Sequence, residues 1–212
     1  MIKLLIAIPT LDFLHFEFVE SLTKLIMHLN QQGIRFEVKY ISGTLVYVAR
    51  DKLASYAINN DFTHVMWLDS DMVFTETIVE DLLDCEKDFV TGIYHTRRKP
   101  FISCVFKKIV PVERFPEYPK ETFRIGGCGF GCVLVGVNVL KDVQMNYETC
   151  FLPLAGFGED LAFCVRARDL GYELWCEPTV RCGHVGHIAI WPEDQERWKS
   201  EISNYDDFKG WW

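Results

Sequence analysis

Apolar and polar positions alternate along this chain in two rhythms. Short runs rich in β-branched and aromatic residues ("IKLLIAI", "RFEVKYI", "HVMWLD", "DFVTGIY") alternate with longer segments whose apolar residues recur every three or four positions. The first rhythm predicts strands near residues 2–8, 35–41, 64–69 and 88–94. The second predicts helices from about Leu14 to Gln32, over 46–60 and over 75–87. Gly33 stops the first helix, and Thr75 or Thr77 is expected to cap the third. Such β–α repeats within the first 95 residues imply a parallel sheet with helices on its faces, joined by right-handed crossovers.

The second half is less regular. Strands are expected at "FISCVFKK", "CVLVG" and "YELWCEP", and an amphipathic helix at "EDLAFCVRARDLG" ending at Gly171. Residues 109–121, with Pro111, Pro116 and Pro119, read as a loop. Neither a repeat nor a linker divides the chain, so residues 1–212 are expected to form one domain. The end, "FKGWW", reads as a docked tail over about 192–212 or as a cut inside a longer chain.

Composition narrows the class. A chain of 212 residues, 49% hydrophobic and 14% aromatic, can bury a core. A formal charge of -8 argues against a nucleic-acid partner, which requires a basic face. No apolar run approaches the roughly 20 residues of a membrane span, and Ile2 to Pro9 lacks the features of a signal peptide. Eight scattered cysteines without a Cys-x-x-Cys pair read as reduced thiols in the cytoplasm.

Ligands of such sheets sit beyond the carboxyl ends of the strands. Three polar patches fall there: "PTLD" (residues 9–12), "SGT" (42–44) and Asp69-Ser70-Asp71. The glycine-rich dinucleotide fingerprint and the Walker loop are both absent, since "IAIPTLDFL" holds no glycine and "GGCGFG" leads into a strand. An isolated Asp-x-Asp has roughly even odds of arising by chance in a chain this long, and a solvated turn or helix cap accounts for it equally well. In extended geometry, however, residues 69 and 71 share a face. A divalent cation would then relieve their repulsion and offer open positions to diphosphate oxygens.

The segment "HVMWLDSDMVF" resembles the Asp-x-Asp segment of GT-A-fold glycosyltransferases, in the family-2-like and mannosylglycerate-synthase-like branches. "SGTLVYVARDKLASYAI" is similar to the helix before it, with Asp51 where asparagine is usual. "GCGFGCVLVGVNVLKDV" is similar to the acceptor-side glycine loop, and "GFGEDLAFCVRARDLGYELWCEPTVRCGHVGH" to the Glu-Asp helix and distal histidine segment. The fold implied is α/β: one GT-A, Rossmann-like domain with a central, mostly parallel sheet flanked by helices. The size suits a compact viral or microbial member, which in a virus would act in the host cytoplasm.

The resemblance implies roles. Asp71 would bind metal directly, Asp69 would contact the ribose or the metal through water, and His184 would complete the metal site. A structural histidine is the plain alternative for His184, and His187 is a lesser candidate for a phosphate. A nitrogen ligand beside carboxylates favours Mn2+ over Mg2+. A zinc module of Cys176, Cys182, His184 and His187 lacks the spacing of the common fingers. Pro9, Thr10, Leu11 and Asp12 would line the nucleotide pocket with Ser70, and Gly43 would let the second loop approach. Arg50 would reach the diphosphate or stabilise the pocket, with a surface pair to Asp51 or Asp81 as the plain alternative.

Gly127 and Cys128 belong to the expected acceptor loop. The basic turn Arg97-Arg98-Lys99 would guide an anionic donor, with Arg98 toward the sugar, although solvation explains at least two of the three. Glu159 would bind or cap on the acceptor side. Asp160, expected to stay ionised at its helix start, would take the acceptor proton if the reaction inverts. The activity implied is metal-dependent transfer from a nucleotide sugar, with UDP favoured, to a saccharide or other hydroxyl, retaining or inverting. A sugar-nucleotide pyrophosphorylase shares this sheet but needs a glycine-rich basic loop that "IPTLDF" lacks. A non-catalytic sugar-nucleotide or glycan-binding module would keep the pocket without turnover.

Overall fold

The computed structural model describes residues 2–98 and 101–186. The first four predicted strands form at β1 (Lys3–Pro9), β2 (Arg35–Ile41), β3 (His64–Leu68) and, after a two-residue strand β4 (Met72–Val73), β5 (Phe89–Ile93). Between them lie α1 (Phe16–Gln31), α2 (Val46–Asn59) and α3 (Ile78–Leu83). The third helix is shorter than expected. Thr77 stands at its N-cap without a capping bond, because its hydroxyl donates to the Asp81 carboxylate instead, 2.8 Å away.

The second half holds β6 (Val105–Lys108), β7 (Glu113–Arg114), β8 (Phe123–Ile125), β9 (Gly127–Cys128) and β10 (Cys132–Gly136). It continues through α4 (Val137–Tyr147), α5 (Glu159–Asp169), β11 (Leu174–Arg181) and β12 (Gly183–His184). The strand expected over 101–108 begins only at Val105, and the expected loop 109–121 contains β7, which pairs with β6.

Seven strands form the central sheet in the order β2-β1-β3-β10-β5-β11-β8. Pairing is parallel for β2-β1, β1-β3 and β5-β11, whereas β10 and β8 run the opposite way. The sheet is therefore mixed but mostly parallel. Strands β1, β3, β10 and β5 are buried almost throughout because both faces are covered, the condition under which strands lose their alternation, whereas β11 still alternates. On one side Leu4, Ile6 and Ile8 of β1 meet Phe18, Leu22, Leu25 and Leu29 of α1 and the apolar face of α3. That spacing of four, three and four residues draws one stripe along α1. On the other side Leu5 and Ala7 meet α2, α4 and α5 around Trp67, Phe89, Phe130, Phe151 and Phe163. A three-stranded sheet, β7-β6-β9, stands beside one end of the large one. Among the described residues no helix is long and apolar enough to cross a membrane. The tail at 192–212 lies outside the described residues, as do Lys99 and His187.

Candidate donor and acceptor cavity

A cavity of about 590 Å³ opens where β1, β3 and β5 end and β10 begins. It is lined by Pro9, Thr10, Leu11 and Asp12 after β1, by Asp69, Ser70 and Asp71 after β3, and by Arg50, Glu159, Asp160 and His184. The sequence thus nominated residues that the fold brings to one place.

The two aspartates line the same cavity but stand in a turn and take different partners. The chain leaves extended geometry at Leu68, and the Met72 N–H closes a turn on the Asp69 carbonyl at 3.1 Å. A turn rotates successive side chains, so the period of two that motivated a shared ligand does not apply here. The Asp69 Oδ1 accepts from Arg50 Nη2 at 2.7 Å. Asp71, only 8% exposed, meets His184 and Arg97 instead.

His184 reaches Asp71 because β12 pairs antiparallel with β4, which sets His184 opposite Met72. Gly183 permits this close pairing, since a Cβ there would stand 3.3 Å from Val73. His184 Nδ1 lies 2.8 Å from the His95 carbonyl, and Nε2 lies 3.3 Å from Asp71 Oδ2. A carbonyl on one ring nitrogen fixes the tautomer and orients the other, the arrangement that metal-binding histidines use. Burial pushes the Asp71 carboxyl up, but the bond and charge of His184, with Arg97 and His15, hold it below its ordinary value. Burial likewise lowers His184, yet Asp71 and the His95 carbonyl leave it raised. Asp71 and His184 supply the oxygen and nitrogen donors that a divalent cation such as Mn2+ accepts. Asp69 does not converge with them, and no group of three or more His, Cys, Asp or Glu among the described residues is arranged to hold a metal.

Arg50 is a buried cation, not half of a surface pair with Asp51 or Asp81. It is 2% exposed, and its Nε lies 3.6 Å from Glu159 while Nη2 holds Asp69. Its guanidinium also stands among the rings of Trp67, Phe130 and Phe151 at 5.4–6.0 Å from their centroids. Asp51 accepts from the backbone N–H groups of Cys150 and Phe151 at 2.8 and 2.9 Å.

Asp160 departs from expectation. Burial, with the charge of Glu159 beside it, raises its carboxyl to about 6 despite a bond from the Leu161 N–H and the proximity of Arg50. Desolvation outweighs the helix start. Gly127 and Cys128 lie in the core rather than in the cavity wall: a Cβ on Gly127 would stand 2.7 Å from Ile109, and Cys128 is fully buried. The glycine of that loop lining the cavity is Gly129, where a Cβ would collide with the Tyr94 hydroxyl. Gly43 adopts φ +70 and donates its N–H to Leu11, so Thr44 rather than Gly43 lines the wall. Arg98 is exposed and outside the wall, where Arg97 takes its place.

Sequence reasoning missed Tyr94 and Arg114. Tyr94 lies at the end of β5, edge-on to His184 at 5.7 Å, and its hydroxyl accepts from the Gly131 N–H at 2.9 Å. The terminal tyrosine of "DFVTGIY" was its only signal. Arg114 was hidden in the segment expected to be a loop.

No protein-family model matches the chain, and none of the curated proteins is similar to it in sequence. Solved structures are similar in shape. The crystal structure of A197 from STIV aligns with 88% of this chain and 87% of its own, at 18% identity and a TM-score of 0.57. GalNAc-T7 with UDP, GalNAc and Mn2+ aligns with 90% of this chain at 10% identity and a TM-score of 0.56. The fold is of the GT-A type. The chain spans 44% of the GalNAc-T7 chain, so the likeness covers a part of that protein. Within the GT-A fold, the cavity occupies the ends of the parallel strands, the place from which the three polar patches converge.

Proposed function

We propose that this chain is a metal-dependent glycosyltransferase that moves a sugar from a UDP-sugar to a hydroxyl acceptor. The observation that carries the reading is the cavity, which gathers "PTLD", Asp69-Ser70-Asp71, His184 and Glu159-Asp160 in a GT-A fold. The likeness to a protein whose structure contains UDP, GalNAc and Mn2+ supports the same ligand classes.

Pro9, Thr10 and Leu11 form the wall against which a pyrimidine lies, and Asp12 accepts from its imide N–H. Asp71 and His184 would hold Mn2+, or Mg2+, which supplies Lewis-acid neutralisation of the departing diphosphate. Asp69, kept in place by Arg50, faces the ribose side, with Ser70 beside it. Glu159 and Asp160 face the acceptor. In an inverting reaction the acceptor oxygen bonds to the anomeric carbon as the bond to diphosphate breaks, and its proton passes to the Asp160 carboxylate. A carboxyl titrating at about 6 is largely ionised at neutral pH yet basic enough to accept a proton.

The test is a panel of UDP-, GDP- and CMP-sugars with Mn2+, and again with chelator, scored by chromatography for free nucleotide and glycosylated product. UDP release that requires Mn2+ is the expected result. Mn2+–UDP binding without release from any donor would reduce the protein to a binding module.

A further inference from the structure

Three arginines line the cavity, and their situations differ. Arg50 is held by Asp69 and Glu159, and Arg97 by Asp71. Arg114 pairs with no carboxylate among the described residues. One Nη1 bond goes to the Ser103 carbonyl, and the guanidinium lies over the Phe106 ring, 4.4 Å from its centroid. A guanidinium carries five N–H donors, so most of those on Arg114 remain available to a ligand. Placement over the Phe106 ring restrains the guanidinium without consuming its N–H donors, which suits recognition of an oxyanion.

Its position selects which ligand group it meets. Arg114 belongs to the β7-β6-β9 sheet, in which β9 leads directly to Gly129. A Cβ on Gly129 would stand 3.5 Å from Asp160 Oδ2, so this wall adjoins the acceptor-side carboxylates. The Cys104 thiol, also in the cavity wall, feels both the negative charge of Asp160 and the positive charge of Arg114. The nucleotide wall at Pro9–Asp12 comes from β1 instead. Five carboxylates line the cavity (Asp12, Asp69, Asp71, Glu159 and Asp160), so an anionic group entering its acceptor end needs a cation that is not already committed.

We propose that Arg114 selects an acidic acceptor, a hydroxyl compound bearing a carboxylate or phosphate that the guanidinium receives while Asp160 faces the reacting hydroxyl. This rests on the glycosyltransferase reading above. A carboxylate could also arrive on the transferred sugar, and the donor diphosphate is a third oxyanion, so the test separates these sources.

Wild-type protein, Arg114→Gln and Arg114→Lys are titrated by calorimetry with UDP in the presence of Mn2+. With Mn2+ and UDP bound, each is then titrated with methyl glucuronide, methyl glucoside and glucose 6-phosphate. In a separate arm, UDP-glucuronic acid is compared with UDP-glucose. The expected result is unchanged UDP affinity in all three proteins and a preference of the wild type for an acidic over the neutral saccharide. A charge-assisted contact is worth about tenfold to a hundredfold, which Arg114→Gln abolishes and Arg114→Lys retains in part. No acidic preference in the wild type, or one that survives Arg114→Gln, overturns the proposal. Loss of UDP affinity in Arg114→Gln assigns the guanidinium to the diphosphate, and a preference confined to UDP-glucuronic acid assigns it to the donor sugar. Either result overturns the acceptor role. Failure of wild-type protein to bind Mn2+–UDP removes the UDP-sugar reading on which the proposal rests, and is seen before any saccharide is added.

Discussion

Replacing Arg50 by methionine tests whether the cavity depends on one buried cation. Met fills much of the same space but leaves Asp69 and Glu159 without the partner now 2.7 and 3.6 Å away. Breaking a fully buried ion pair from one side costs about 3–5 kcal/mol. The side chains of Asp69 and Glu159 are 31% and 19% exposed, so water takes up part of the loss and the expected cost is near the low end, about 3 kcal/mol. For a chain of 212 residues this lowers the melting temperature by about 6–12 °C. Urea unfolding followed by tryptophan fluorescence is a suitable assay, because Arg50 stands 5.8 Å from the ring of buried Trp67. Arg50 also restrains the upward shift of Asp160, so its removal raises that carboxyl further. An acid whose folded pKa exceeds its unfolded value loses stability as pH rises between the two. The deficit of the variant should therefore be larger at pH 7.5 than at pH 5. In a double-mutant cycle with Asp69→Asn, coupling of about 0.5–3 kcal/mol is expected. Arg50→Met within about 0.5 kcal/mol of wild type, or strict additivity with Asp69→Asn, would refute the reasoning.

Three further outcomes follow from the proposed roles. Asp71→Ala should abolish Mn2+-dependent UDP binding and His184→Ala should weaken it most at low Mn2+; unchanged calorimetric affinity in both would remove the metal assignment. Asp160→Asn should leave UDP binding nearly intact while transfer falls strongly, and the wild-type rate should rise with pH through about 6 and then level, a limb absent from the variant. With Mn2+ present, UDP should raise the melting temperature while CMP and GDP do so weakly, since cytosine turns an acceptor toward the Asp12 carboxylate and a purine needs more room; a larger shift with GDP would overturn the uridine preference.

Much of the scaffold was legible because both sheet faces are covered. Continuous apolar strands such as "KLLIAIP" and the regular stripe of α1 leave little ambiguity. Direction is another matter: "CVLVG" carries no mark that it runs against its neighbours. The two-residue strands β4 and β12 have no periodicity to detect, yet their pairing carries His184 to Asp71. The site was legible as a set of positions and less so as geometry. Asp69 and Asp71 were read in strand geometry, but the turn bond at Met72 separates them, sending one to Arg50 and the other to His184. Burial of Asp160 arises from contacts distant in sequence, so a local helix-start argument predicted ionisation and missed the upward shift. In "GGCGFG", choosing between Gly127 and Gly129 required knowing where β9 ends.

The insertion of β10 between β3 and β5 also governs the order in which the molecule can be made. A nascent chain holding only the first 95 residues contains β1, β2 and β3 on one side and β5 on the other, with nothing between. The edge of β3 that pairs with β10 in the finished sheet then has no strand to bond, and unpaired edges are the templates on which chains associate. Only when residues 132–136 emerge can one strand join both halves, through Val133 opposite Trp67 on one side and Thr91 on the other. Closure across so many residues is slow by comparison with neighbouring strands. The N-terminal half should therefore depend on its own later sequence for solubility, and synthesis halted before β10 should yield an aggregating fragment rather than a small folded domain.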